Sequence, residues 1–106
     1  MSIANTAQAE HWNTGAGAAH WIRNREQYDR MLRPFADLIL QAAALRPGQQ
    51  VLDVGCGFGV TTLAAARLVD PGSAVGVDLS SPMLSLARER AAGSGLRNVS
   101  FQHGDV

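Results

Sequence analysis

Residues 51–59 read VLDVGCGFG, a short apolar run followed by a glycine at every second position. The run at residues 51–54 is typical of a buried strand. Gly55, Gly57 and Gly59 allow the chain to turn sharply and let the backbone come close to a ligand. We therefore expect a strand, a ligand-binding loop and a helix, in that order, at this point of the chain.

The helix predicted over residues 60–69 would direct its free N–H groups and the positive end of its dipole back over the glycine loop. Such a site suits a carboxylate, a phosphate or ribose oxygens. Asp78 follows about 20 residues after the loop, where an acid can accept hydrogen bonds from both hydroxyls of a ribose. The alternative role for Asp78 is that of an exposed acid that caps the following helix.

After residue 50 the sequence alternates between strand and helix patterns. Strands are predicted at 51–54, 74–77 and 98–102, and helices at 60–69 and 82–92, the second of which begins after Ser80 with Pro82 and closes at Gly93 and Gly95. Alternation with short connections implies an α/β fold with parallel strands and right-handed crossovers. All strands then end on one sheet edge, which is where open α/β sheets bind ligands.

The N-terminal part divides into two segments. Residues 1–18 are polar and unperiodic and are predicted to be a mobile arm. Residues 19–46 carry two helical patterns, 19–33 and 35–45, which Pro34 separates; these helices would act as a lid or as packing. Trp21 either packs as the first apolar residue of its helix or belongs, with Trp12, to an arm that closes over the ligand. Residues 47–106 form the predicted ligand-binding domain.

Composition excludes several classes of function. Nine arginines balance nine acids, so the chain has no basic field and a nucleic-acid partner is not expected. Lysine is absent, which excludes a lysine Schiff base, and the single Cys56 excludes an internal disulfide. No secretory signal, no apolar run long enough to span a membrane and no metal-ligand spacing is present, and we expect a cytoplasmic protein without a metal.

Two ligands suit this geometry, a dinucleotide such as NAD and S-adenosylmethionine. The dinucleotide fingerprint needs its third glycine one position later, where this chain has Val60. Asp53, two residues before the first glycine, is unfavourable beside a pyrophosphate but favourable near an ammonium and a sulfonium. Asp105 ends the third strand, within reach of an adenine amino group. The pattern favours S-adenosylmethionine, and an NAD-dependent oxidoreductase is the lesser alternative.

Three segments, VLDVGCGFGVTTLAAA, AVGVDLSSPMLSLARERA and NVSFQHGDV, resemble the successive cofactor motifs of the class I S-adenosylmethionine-dependent methyltransferases. The segments look like those of the small-molecule branch that includes the quinone-biosynthesis methyltransferases. The resemblance implies a Rossmann-like three-layer sandwich, of which this chain carries the first three parallel strands in the order 3-2-1. A complete fold of this family has seven strands, so we expect an N-terminal fragment of a longer enzyme. Its first strand would be a bare apolar edge, open to a homodimer.

The resemblance also implies roles for individual residues. Gly55, Gly57 and Gly59 would surround the methionine part of the cofactor, with Asp53 supporting the loop and the amino group. Asp78 would hold the ribose, and Leu79 and Met83 would flank the adenine. Asp105 would bind the adenine amino group and the Val106 amide a ring nitrogen; Cys56 and Gly104 complete the predicted cofactor site.

Two residues with reactive side chains, Cys56 in this site and His103 beside it, receive no catalytic role. Cys56 is interpreted as a small space-filling residue and not as a nucleophile. His103 is interpreted as a loop residue facing solvent and not as a base.

The implied function is binding of S-adenosylmethionine for in-line transfer of its methyl group to a small-molecule acceptor. The protein would contribute alignment and exclusion of water. The alternative is a non-catalytic module that binds the cofactor or its demethylated product, or that contributes a dimer interface.

Overall fold

The computed structural model describes residues 16–105. In chain order these form α1 (Ala16–Arg23), α2 (Arg25–Ala43), β1 (Gln50–Val54), α3 (Val60–Val69), β2 (Ser73–Asp78), α4 (Ser81–Ser94) and β3 (Val99–His103). The three strands are parallel and lie in the order β1-β2-β3. This arrangement confirms the predicted α/β fold and strand order.

Helices α3 and α4 cover one face of the sheet. Ala65 and Ala66 of α3 pack with Ala74 of β2. Leu84 and Ala87 of α4 pack with Phe101 of β3. These apolar contacts exclude water from one side of the strands and supply most of the core.

The opposite face of the sheet is uncovered in the described part of the chain. Leu52 and Val54 alternate with the inward residues of β1 and are 61% and 58% exposed. In the strand register they stand beside Val75 and Val77 of β2. The described residues therefore build two layers, with helices on one side of the sheet.

The prediction that Pro34 separates two helices is wrong. Helix α2 runs through Pro34 without a break, and the interruption falls at Asn24, ten residues earlier. Proline removes one hydrogen bond from the carbonyl of Arg30, but residues 30–35 are all exposed, so water can replace the missing donor. Residues 16–18, which were assigned to the arm, lie in the first turn of α1.

The other boundaries agree closely with the sequence patterns. Helix α3 occupies the predicted residues, and each strand begins or ends one residue away from its predicted limits. The Ser80 hydroxyl accepts a hydrogen bond from the Met83 amide at 3.3 Å and caps α4. Gly95, with φ of 78°, follows the end of this helix, whereas Gly93 lies inside it.

Several predictions lie outside the described residues. These are the arm over residues 1–15 with Trp12, the side chain of Trp21, and Val106. Within residues 16–105, none of the helices combines the length and apolar character needed to cross a membrane. The same residues contain no group of three or more His, Cys, Asp or Glu that could hold a metal ion.

Candidate cofactor-binding site

A cavity of about 550 Å³ lies at the carboxyl ends of the strands, where the parallel topology places the ligand edge. Most residues of the predicted site line it together. They come from the glycine loop, the end of β2, the start of α4 and the segment after β3: Gly55, Cys56, Gly57, Asp78, Leu79, Met83, Gly104 and Asp105. Asp53 and Gly59 do not line the cavity.

The glycine loop presents bare backbone to the cavity. Gly55 and Gly57 have φ of 72° and 53°, a left-handed conformation that favours glycine. A Cβ atom on Gly55 would meet nothing within 4 Å, and one on Gly57 would meet only the Met83 methyl at 3.9 Å. The loop therefore leaves room for a ligand to approach the main chain.

Gly59 has a different task from the other two glycines. A Cβ atom there would lie 2.7 Å from the Phe101 ring, and the backbone φ is 86°. Its small size lets the start of α3 pack against β3. The direct role toward a cofactor stays a prediction for this residue.

The Asp78 carboxylate joins two parts of the cavity rim. One oxygen accepts a hydrogen bond from the Gly57 amide at 2.8 Å, and the other accepts one from the Ser80 amide at 2.9 Å. Each carboxylate oxygen has two lone-pair positions and can accept a second hydrogen bond. The bond to Ser80 and a bond to a ligand hydroxyl are therefore compatible, so the two roles considered for Asp78 do not exclude each other.

Asp53 lies behind the loop, on the side of α3. The Thr62 hydroxyl donates a hydrogen bond of 2.6 Å to its carboxylate, and Thr62 is fully buried. Burial raises the pKa of Asp53, the Thr62 hydrogen bond lowers it, and the negative charge of Asp78 raises it further, with a net upward shift. Sequence reasoning missed Thr62, although a hydroxyl residue on the otherwise apolar inner face of α3 was the available signal.

Cys56 is a packing residue, as predicted. Its thiol is buried, and a Cβ atom on the neighbouring Gly76 would lie 2.8 Å from the sulfur. Burial, with the charges of Asp78 and Asp53, raises the pKa of Cys56 to about 12. The thiol is therefore protonated at neutral pH, which disfavours a nucleophilic role.

The prediction that His103 is a loop residue facing solvent is wrong. His103 ends β3, is half-buried, and its Nε2 lies 2.8 Å from the carbonyl oxygen of Leu79. A carbonyl can only accept, so this contact requires the proton on Nε2. Strand β3 continues one residue beyond the predicted end, and alternation places His103 on the same face as Phe101.

Helix α2 forms a cavity wall; sequence reasoning considered the helices of residues 19–46 as a lid or as packing but named none of their residues in the site. Its contributions recur at helical spacing on one face: Asp29, Leu32, Phe35, Ala36 and Ile39. Asp29 forms an ion pair with Arg90 of α4, and the Arg90 guanidinium lies 5.5 Å from the centre of the Phe58 ring. The sequence did carry a signal for this wall, because the apolar stripe of α2 is larger than the surface that the neighbouring helices can cover.

A family model for a methyltransferase domain matches residues 51–106, which is more than half of the chain. The chain belongs to the class I S-adenosylmethionine-dependent methyltransferase family. The match confirms the resemblance of the three sequence segments and includes the glycine loop, Asp78 and Asp105.

Curated relatives of this methyltransferase-family chain differ in their named substrates. It is 43% identical over 74 residues to nocamycin O-methyltransferase of Saccharothrix syringae, covering 69% of this chain and 26% of that protein. It is 42% identical over 67 residues to the 23S rRNA (uracil(1939)-C(5))-methyltransferase RlmD of Shewanella sp. strain ANA-3, covering 63% and 14%. It is 34% identical over 83 residues to demethylmenaquinone methyltransferase of Symbiobacterium thermophilum, covering 77% and 32%. The chain thus spans a third or less of the length of these relatives.

Solved structures also align with this chain, again over only part of their own length. A methyltransferase from Thiobacillus denitrificans in complex with S-adenosyl-L-homocysteine aligns with a TM-score of 0.57 and 34% identity, covering 66% of this chain and 28% of that one. The [4+2]-cyclase SpnF aligns with a TM-score of 0.61 and 32% identity, covering 68% and 26%.

Proposed function

We propose that this chain binds S-adenosylmethionine at the carboxyl edge of its sheet and is the cofactor-binding N-terminal portion of a methyltransferase acting on a small-molecule acceptor. The observation that carries the proposal is the joint placement of the open glycine loop, Asp78 and Asp105 around one cavity. The cytoplasmic location and the homodimer through β1 belong to the same proposal.

The residues present fit this cofactor. The bare backbone of Gly55 and Gly57 leaves space for the methionine part, and the unused lone pairs of Asp78 can accept the ribose hydroxyls. Leu79 and Met83 supply apolar contacts for an adenine ring, and Asp105 an acceptor for its amino group. When bound, S-adenosylmethionine supplies an activated methyl group, and the chain's own residues orient it and limit the access of water.

Replacing Asp78 tests the proposal. Asp78→Ala removes the acceptor proposed for the ribose hydroxyls, together with the acceptor of the hydrogen bonds from the Gly57 and Ser80 amides. We expect binding of S-adenosylmethionine and S-adenosylhomocysteine to weaken by about 1–3 kcal/mol, measured by calorimetric titration. Asp37→Ala, at an exposed acid of α2 outside the cavity, is the matched control and should leave both affinities unchanged.

The same titration includes NAD as a third ligand. Binding of NAD with no response to either sulfur compound would favour the oxidoreductase alternative. Unchanged affinity in Asp78→Ala would remove this acid from the site.

A second function is a cofactor-binding module without methyl transfer. The alignment with SpnF favours keeping it, because that neighbour is named for a cyclisation. Transfer of a labelled methyl group from S-adenosylmethionine to any acceptor by the longer enzyme would exclude this alternative. Saturable binding without transfer would support it.

A further inference from the structure

The cavity has two chemically different halves. The sheet edge contributes the glycine loop and two carboxylates, whereas α2 contributes a row of apolar side chains, Leu32, Phe35 and Ile39. These three side chains are 43%, 61% and 60% exposed, so much of their surface is available to a ligand. Exposed apolar patches of this kind are common in ligand grooves.

We propose that the α2 half of the cavity is the methyl-acceptor subsite and that it takes an uncharged, ring-bearing small molecule. This inference rests on the proposed function, because the acceptor must lie beside the cofactor. Phe35 lies in the middle of the row, lines the cavity and is largely exposed, so its flat ring is available for stacking, which adds to the gain from apolar burial. Leu32 and Ile39 extend the same surface one turn in each direction.

The charges around the cavity disfavour an anionic acceptor. The charged residues that line it are Asp29, Asp78 and Asp105, and no arginine or histidine is among the lining residues that the structure describes. Asp29 is paired with Arg90, which leaves the two carboxylates at the sheet edge uncompensated by a cation of the lining. A carboxylate or phosphate on the acceptor would be repelled by these carboxylates and would find no basic partner among the described lining residues, since Arg90 lies outside the lining and is already paired with Asp29. An RNA acceptor is disfavoured for the same reason.

Two probes with the same bicyclic ring test this inference, 2-naphthol, which is uncharged at neutral pH, and 2-naphthoate, which is an anion. Each is titrated into the full chain at low salt, with and without S-adenosylhomocysteine, and followed by ligand-observed NMR. We expect 2-naphthol to bind at least about tenfold more tightly than 2-naphthoate, because only the anion is repelled.

Phe35→Ala should weaken binding of 2-naphthol by about tenfold through loss of the aromatic contact. Leu38→Ala is the matched control, since Leu38 lies on the same helix and is 62% exposed but does not line the cavity. Binding of 2-naphthol to this control should stay within about twofold of the parent chain. Neither substitution should change the affinity for S-adenosylhomocysteine by more than that factor, because neither removes a residue assigned to the cofactor.

Each outcome gives a decision. Equal binding of the two probes, no binding of 2-naphthol, or equal loss in Phe35→Ala and Leu38→Ala would overturn the inference. Failure to bind S-adenosylhomocysteine would instead contradict the proposed function. The titrations of the two probes in the absence of that compound would still test the α2 half of the cavity. The two failures are therefore distinguishable.

Discussion

Asp53 shows how one residue of a sequence motif can lie behind a cavity and outside its lining, so that its predicted role toward a cofactor stays a prediction. Asp53 does not line the cavity, and its carboxylate accepts a hydrogen bond from the hydroxyl of the fully buried Thr62. The hydrogen bond offsets part of the cost of placing a carboxylate in a poorly hydrated position. The glycine loop begins two residues later, so this pair fixes the strand end from which the loop departs.

The raised pKa of Asp53 makes its ionisation unfavourable to folding. Its folded pKa lies above the ordinary value of 3.8, so the folded state binds more protons between these two values. Its contribution to stability therefore falls as the pH rises through that interval and stays low at neutral pH. At a pH below both values the group is protonated in either state, and the unfavourable effect disappears.

Asp53→Asn removes this charge while keeping an oxygen for Thr62. We expect a higher Tm at pH 7 than in the parent chain, with the difference shrinking as the pH is lowered toward the ordinary pKa, measured by thermal unfolding across this range. Asp37→Asn, at an exposed position of α2, is the control for a general charge effect. A gain that is the same at all pH values would show that ionisation of Asp53 is not its cause.

At the scale of elements, the contact between Gly59 and Phe101 sets how closely α3 approaches the sheet. This residue stands where the loop becomes helix; its backbone is left-handed, and the Phe101 ring leaves no room for a side chain. The neighbouring glycines of the loop face open space. The glycines of this loop are therefore small for two different reasons: Gly59 because Phe101 occupies the space beside it, and Gly55 and Gly57 because they leave space open.

Gly59→Ala should destabilise the fold by about 2–4 kcal/mol, because it combines backbone strain with overlap against an aromatic ring. Gly93→Ala is the matched control: Gly93 lies within α4 and a Cβ atom there meets nothing within 4 Å. This control should stabilise the helix by about 0.5–1 kcal/mol. Denaturant unfolding measures both, and equal effects of the two substitutions would contradict the packing role of Gly59.

The elements that local signals define were predictable from the sequence. The glycine loop, the Ser80 cap and the period of α3 each depend on neighbouring residues, and their boundaries agree with the structure. The cavity-lining residues at the strand ends were also predictable, because parallel topology brings those ends together.

Tertiary packing decided the features that were missed. Pro34 is tolerated inside α2 because that stretch is exposed, and His103 is half-buried because β3 continues to it. The cavity wall of α2 and the bond from Thr62 to Asp53 join residues from separate elements. No local pattern specifies such pairs.

At the scale of the whole molecule, the sheet is covered on one face only in the described residues. Leu52 and Val54 of β1 stand beside Val75 and Val77 of β2 and form an apolar square at the open edge. Across β2 the next positions on this face are Ser100 and Gln102 of β3, which are polar and exposed. The apolar surface is therefore concentrated at the β1 side.

We expect the chain to self-associate through this surface and the open edge of β1. Val54→Lys places a charge in the apolar square and should shift the chain toward monomer, observed by sedimentation velocity over a concentration series. Leu68→Lys, at a residue of α3 that is 47% exposed and lies away from the sheet face, is the control. A parent chain that stays monomeric at all concentrations would contradict the predicted homodimer.

The two hydrogen bonds of Asp78 have a consequence for the thermodynamics of ligand association. Because one side chain already ties the glycine loop to the segment after β2, the rim does not need to be ordered when a ligand arrives. The conformational entropy of that backbone is lost already on folding, so ordering it does not reduce the free energy of ligand binding. A receptor prepared in this way discriminates by fit to an existing shape.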